Sequence, residues 1–356
     1  SENIEDMLKM VGKLVDKEYA YEKLHSVYFD ISKMPDYGRL SNVDLGKTRL
    51  GKSIDLDDYE KDAPADFALL KRTTLGELKR GIYTKTRWGN VRPGWHLECA
   101  AISEKYLGAA YDVHISGMDE IFPHAENILA IDKACFGTGG AGYWLGVELV
   151  MVDGRKMSRS MSNAVTIEQL RPDGYSGRDI RFFLLSMNYR KPLNYSPATL
   201  QAAKNTLKKM DTFISRLQVC NNDAGEFTDT DQSIYDLNHG FEAALDDDLN
   251  ISGAMAAVFD FVGRINEPLS EGRLSRADAD KILQALAQID QVLGVMQFDF
   301  PQEKGEIAEL IEKREQARRN RRWLEADAIR RQLTLLGVEV LDTRQGPLWR
   351  PLQEKP

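Results

Sequence analysis

Only three cysteines, Cys99, Cys135 and Cys220, occur in the 356-residue chain, and they are widely spaced. So few thiols, so far apart, exclude a disulfide-stapled scaffold and suit a reducing compartment, so a cytoplasmic location is expected. No apolar run approaches the roughly 20 residues of a membrane span, and the start, SENIEDMLKM, lacks the basic and apolar regions of a signal peptide. A membrane is therefore not an expected partner. Internal repeats and low-complexity tracts are absent too. Positive charge is not in excess: 47 Lys and Arg face 55 Asp and Glu, a net charge of −8. That balance excludes a uniformly basic nucleic-acid binder.

What is present is ordinary for a globular protein: 42% hydrophobic and 29% charged residues, on a chain long enough for two or three domains. The charge is uneven, however. KREQARRNRR (313–322) carries six basic residues and one acid, whereas ALDDDLN (244–250) is acidic. A basic patch on an acidic body can track phosphates, and the same residues can equally form a solvated helix face.

Periodicity gives the organisation. IEDMLKMVGKLVDKEYAYEKL has helical spacing, SVYFDIS reads as a strand, and DLGKTRLGKSIDLDDYEKDAPADFALLKRT reads as a mostly irregular insertion. From 90 to 152 strands alternate with helices, which predicts an α/β layer with a parallel sheet, and YWLGVELVMV within it reads as one buried strand. From about residue 175 five amphipathic segments follow one another, the pattern of a helical bundle. QFDFPQEKGE (297–306) reads as a linker. One long charged helix, EIAELIEKREQARRNRRWLEADAIRRQLTLLG, then precedes a strand, VEVLDT, and a turn, RQGPLW.

The stretch GRKMSRS (154–160) places cations and hydroxyls in a glycine-led loop after an apolar run. It resembles the KMSKS loop of class I aminoacyl-tRNA synthetases. RPGWHLECA (92–100), DEIFPHAEN (119–127), DIRFFLLSMNYRKPLNYS (179–196), ALDDDLN and LEADAIRRQLTLLGVEVLDTRQGPLWR (324–350) fall in order around it. Together they resemble the cysteinyl-tRNA synthetase family over essentially the whole chain. The resemblance implies a fold that is α/β plus all-α. Residues 1–88 would form a connecting insertion and 89–175 the second half of a Rossmann catalytic domain. Residues 176–296 would be a helical bundle and 305–356 a small anticodon-binding-like α/β unit.

The same resemblance assigns roles. Lys156 and Arg159 would be catalytic, meeting the negative charge that grows on pyrophosphate as an adenylate forms. His114, Gly117, Asp119, Lys156 and Ser158 would bind the nucleotide, ATP with Mg2+. Trp95 and His96 would lie against the amino acid. Arg318, Arg319 and Arg322 would contact tRNA, with Asp342, Thr343, Gln345 and Trp349 on a base-reading turn. Cys99 and His124 match two of the family's four zinc ligands.

The departures from the family are as informative. The family's glutamate ligand falls four residues after its histidine, and that position is Ile128; the histidine that usually follows the ligand is Ala125. Glu126, two residues on, lies on another helical face. Zinc, which needs four ligands in a closed site, is therefore not expected. HISG (114–117) carries Ile115 and Ser116 where the family has glycine. The HIGH signature is absent from the sequence, so the first Rossmann half would lie on a missing segment or a companion chain. Three readings stay open: an incomplete cysteine–tRNA ligase, a diverged paralogue without zinc-based selection, and a non-catalytic tRNA- or partner-binding module. Ile128 and Ala125 favour the second, inactive alone in cysteine charging, because loss of a segment would not alter residues elsewhere.

Overall fold

The computed structural model describes residues 2–44, 61–223, 225–298, 305–336, 338–343 and 346–351. The chain divides into two compact units, 1–149 and 150–356. No helix among the described residues is long and apolar enough to cross a membrane.

In the first unit, helix α1 (Ile4–Asp16) buries Met7, Met10, Val11 and Leu14, the i, i+3, i+4, i+7 stripe of an amphipathic helix. It is shorter than the helical spacing predicts. Glu18 takes a left-handed φ of 61° and the Tyr19 N–H reaches back to the Leu14 carbonyl at 2.9 Å, which ends the helix. The chain enters β1 (Ala20–Lys23) and turns through Leu24 and His25, both at positive φ, into β2 (Ser26–Phe29). The insertion expected to be mostly irregular supplies a central strand, β3 (Phe67–Arg72), whose first four side chains are all buried. After α2 (Leu75–Lys79), β4 (Thr84–Thr86) and β5 (Gly89–Pro93) complete an antiparallel sheet of order β1-β2-β3-β5-β4.

The α/β layer follows. Helix α3 (Trp95–Leu107), strand β6 (Ala110–Gly117), helix α4 (Glu126–Phe136) and strand β7 (Gly140–Val147) make a unit in which β6 and β7 run parallel, from Ala110↔Gly140 to Gly117↔Val147. Leu14, Leu70, Leu97, Ile128 and Ile131 form the core where helices meet sheet. Each such fully buried side chain contributes about 1.5–3 kcal/mol. The apolar run from Tyr143 is not one buried strand: β7 stops at Val147, and Tyr143 is 73% exposed.

The second unit opens with β8 (Val150–Val152) and β9 (Arg155–Lys156), with α5 (Ile167–Leu170) and α6 (Gly177–Leu185) next. Strand β10 (Leu193–Tyr195) pairs parallel with β8. Helices α7 (Pro197–Gln218), α8 (Thr230–Asp246), α9 (Ile251–Ser270) and α10 (Arg276–Leu293) make the expected bundle around Leu200, Ile214, Val258, Ile265 and Leu286. Ser196 starts α7 with a capping box and Pro197 at its first turn, so its orphan N–H groups are satisfied by local sequence.

The single charged helix expected near the C-terminus is two helices, α11 (Gly305–Arg319) and α12 (Trp323–Leu335). Arg321 takes a φ of 59° and the Arg322 N–H bonds the Ala317 carbonyl at 2.8 Å, a break made without glycine or proline. Of the expected linker, 299–304 lie outside the described residues and Gly305 already begins α11. Strands β11 (Val338–Thr343) and β12 (Gly346–Pro351) form an antiparallel hairpin, so the supposed turn residues Pro347 to Trp349 belong to a strand.

Candidate functional site

The first unit gathers aromatic and imidazole rings where α3 and α4 begin. Gly94 caps α3, and only glycine fits there, because a Cβ would lie 2.4 Å from the Ala68 carbonyl oxygen. That close approach sets Trp95 and His96 at the head of α3. His124 sits in a tight turn, Ile121–Ala125, that leads into α4. Its ring stacks on Trp95 with centroids 3.9 Å apart, and its Nδ1 lies 2.8 Å from His96 Nδ1. His96 in turn meets the ring of Phe67 edge-on. Burial, and then the charge of His114, push the His124 pKa down to about 4.

His114 and Gly117 lie toward the carboxyl end of β6, the side of a parallel sheet at which α/β proteins bind ligands. The imidazole of His114 stacks on Trp144 of β7 at 4.4 Å and bonds the Tyr111 hydroxyl at 3.0 Å, and burial lowers its pKa. Asp119 lies in a short turn directly after Gly117, where a Cβ would come within 2.8 Å of its carboxylate. Trp144 escaped the sequence reading, although its register partner is His114 itself.

The residues in place of the family's metal ligands do not fit a zinc centre. Ile128 is fully buried in the core between helices and sheet. Glu126 is buried and its carboxylate accepts both the backbone N–H and the hydroxyl of Ser41 at 2.8 Å. The adjacent Asn127 is hydrogen-bonded by the Tyr37 hydroxyl. The Cys99 side chain packs on the same core, and burial pushes its thiol pKa up, away from the thiolate a metal requires. Among the described residues no three His, Cys, Asp or Glu side chains converge as donors.

In the second unit the basic loop is built rather than loose. Asp153 and Gly154, both at positive φ, turn β8 into β9. Past Lys156 the chain is stapled by Asn163, which accepts from the Ser158 N–H at 2.9 Å and donates to the Lys156 carbonyl at 3.0 Å. Ser158 Oγ also contacts Ser160 Oγ at 3.1 Å and accepts the Met161 N–H at 3.2 Å. Lys156 and Arg159 are exposed. Asn163 was not singled out in the sequence, where it looks like ordinary loop composition.

The C-terminal unit distributes its arginines unevenly. Arg318 pairs with Glu315 at 3.3 Å and also with Asp342, while Arg322 pairs with Glu325 at 3.3 Å. Arg319 is exposed and has no carboxylate partner among the described residues. Asp342 and Thr343 end β11, and Trp349 of β12 stands opposite Val340. Gln345 lies outside the described residues.

A family profile described as the class I (C) tRNA synthetase catalytic domain matches residues 1–205. The DALR domain matches 240–297, and the cysteinyl-tRNA ligase anticodon binding domain matches 301–350. A protein named cysteine–tRNA ligase from Chlamydia felis is 39% identical over 97% of this chain and 73% of its own length. One of the same name from Methanosarcina mazei is 36% identical over 99% of this chain and 76% of its own. A third, from Thermococcus gammatolerans, is 35% identical over 99% and 76%.

Proposed function

Because the chain belongs to the cysteinyl-tRNA synthetase family of class I, we propose that it handles ATP and tRNA as an amino-acid-activating protein of that class, without zinc-based selection of cysteine. The observation that carries this reading is Ile128, fully buried one helical turn after His124, where the family has its glutamate ligand. Zinc tells cysteine from serine by binding a thiolate, and a donor set reduced to Cys99 and His124 gives it too few ligands.

In the proposed reaction the amino-acid carboxylate attacks the α-phosphorus of Mg–ATP, an acyl–phosphate bond forms, and pyrophosphate leaves. Lys156 and Arg159 meet the charge gathering on that leaving group. Asn163 ties the Lys156 carbonyl to the Ser158 amide, which fixes the backbone that carries both cations. In the first unit, His114 and Gly117 toward the carboxyl end of β6, with Asp119 in the turn after it, would contact the nucleoside, and Trp95 and His96 would contact the amino acid. Parallel strands are as a rule covered on both faces, yet Val113, Ile115 and Tyr143 on β6 and β7 are exposed. A further α/β segment, in the same polypeptide or a companion chain, would cover them, and residues 1–356 alone would not charge cysteine.

The similarity to cysteine–tRNA ligases over nearly the whole chain favours a second reading, genuine cysteine charging with a metal held by other donors. Amino-acid-dependent ATP–pyrophosphate exchange by the full-length protein, with a Lys156→Ala control and with and without a chelator, separates them. Our reading expects no chelator-sensitive preference for cysteine over serine. Cysteine-specific exchange that the chelator removes would establish the second.

A further inference from the structure

Arg314 looks in the sequence like one cation of a basic run, yet it is the one buried Lys or Arg among the described residues, 3% exposed. Its guanidinium makes a two-pronged bond to Asp342, Nη1 to Oδ1 at 2.8 Å and Nη2 to Oδ2 at 3.0 Å, and Nη1 also reaches Glu315 at 2.9 Å. Its Nε is buried with no partner among the described residues. A guanidinium placed this deep cannot reach an RNA; Arg318, on the outer side of the same carboxylate, is one-third exposed and can.

A carboxylate offers about four acceptor positions. On Asp342, Arg314 takes one on each oxygen and Arg318 takes a second on Oδ1. Among the described residues one position, on Oδ2, remains. The two arginines, Arg314 first, hold the carboxyl well below the usual carboxylate range, so it stays charged. Asp342 is thus a fixed anion with a single open acceptor beside the one-third-exposed guanidinium of Arg318, rather than a mobile surface acid.

Resting on the tRNA reading of this unit, we infer that Arg314 is a positioning residue for base discrimination: it fixes Asp342 and Arg318 as a preformed acceptor–donor pair that matches the hydrogen-bonding edge of an unpaired base. The single open acceptor takes one amino or imino N–H, and the outer N–H groups of Arg318 take a ring nitrogen or carbonyl. Because the pair is locked before RNA arrives, a base with the wrong edge leaves a charged group unpaired, and that penalty is the source of the selectivity. Arg319, exposed and unpaired, serves affinity instead.

The test compares binding of two transcripts to the full-length protein, a cysteine tRNA and the same tRNA with its anticodon bases replaced. Wild type is expected to prefer the first. Arg314→Lys, which keeps the charge and loses the two-pronged geometry, should reduce that preference about tenfold while affinity for the replaced transcript changes little. Arg319→Ala should weaken both transcripts alike. A partly unfolded preparation lowers both affinities equally, so the ratio isolates positioning from folding; if Arg314→Lys does not fold, Arg314→Gln gives the same readout. Equal binding of both transcripts by wild type overturns the tRNA reading and this inference with it. A wild-type preference that survives in the Arg314 variants overturns the inference alone.

Discussion

His96 and His124 face each other Nδ1 to Nδ1 at 2.8 Å, so one ring must donate and the other accept. With Trp95 stacked on His124 at 3.9 Å, the three side chains form one packed group. Ile128, one turn along from His124, offers a metal no donor. Purified protein should therefore carry well under one zinc per chain. Elemental analysis giving about one zinc, lost in Cys99→Ala, would show that other donors had been recruited.

Gly94→Ala should be strongly destabilising, by about 3 kcal/mol, because its Cβ would lie 2.4 Å from the Ala68 carbonyl oxygen and the backbone of β3 cannot yield. Chemical denaturation measures the loss. A change under about 1 kcal/mol would mean that the head of α3 can shift, and that Trp95 and His96 are not rigidly placed.

Asp132 on α4 is 3% exposed, its Oδ2 has no partner among the described residues, and burial, with a smaller contribution from Glu104, pushes its pKa up to about 7. Between an ordinary value of 3.8 and about 7 the folded protein keeps a proton that the unfolded chain has lost. Stability from this group is full below pH 4 and falls as the pH rises through 7. Asp132→Asn should consequently equal wild type near pH 4 and exceed it at pH 8, by on the order of 2–4 kcal/mol. Denaturation midpoints at the two pH values check this; an unchanged difference would contradict the placement of Asp132.

Asn163→Ala should open the basic loop. The Ser158 amide, now bonded to the Asn163 carbonyl group, should exchange with solvent roughly fivefold faster, matching the loss of one hydrogen bond worth about 1 kcal/mol. Hydrogen-exchange mass spectrometry over 156–163 reads it directly, and unaltered protection would show that Asn163 does not hold the loop.

Much of this was legible in the sequence where a pattern repeats. The bundle helices follow their apolar spacing, and β6 and β7 follow the alternation of strand and helix. What was not legible depends on single backbone conformations and distant partners. Glu18 and Arg321 end helices in left-handed conformations that their residue types do not announce, so α1 was read too long and α11–α12 as one. The strand β3 hid inside a charged insertion. At the candidate site, the departure of Ile128 from the family's ligand pattern is visible in the sequence itself, whereas Trp144, Asn163 and Arg314 act through partners that only the fold brings near: His114, Ser158 and Asp342. A buried arginine in a run of exposed ones has no local signature.

Absence of zinc-based selection of cysteine is what we propose for this family member. It is tested most directly by ATP–pyrophosphate exchange with cysteine and with serine on the full-length protein, before and after chelation. The expected result is that chelation changes neither rate and that cysteine exceeds neither serine nor the Lys156→Ala background by a zinc-dependent margin. Exchange driven by cysteine at least a hundredfold better than by serine, and abolished by the chelator, would contradict the account.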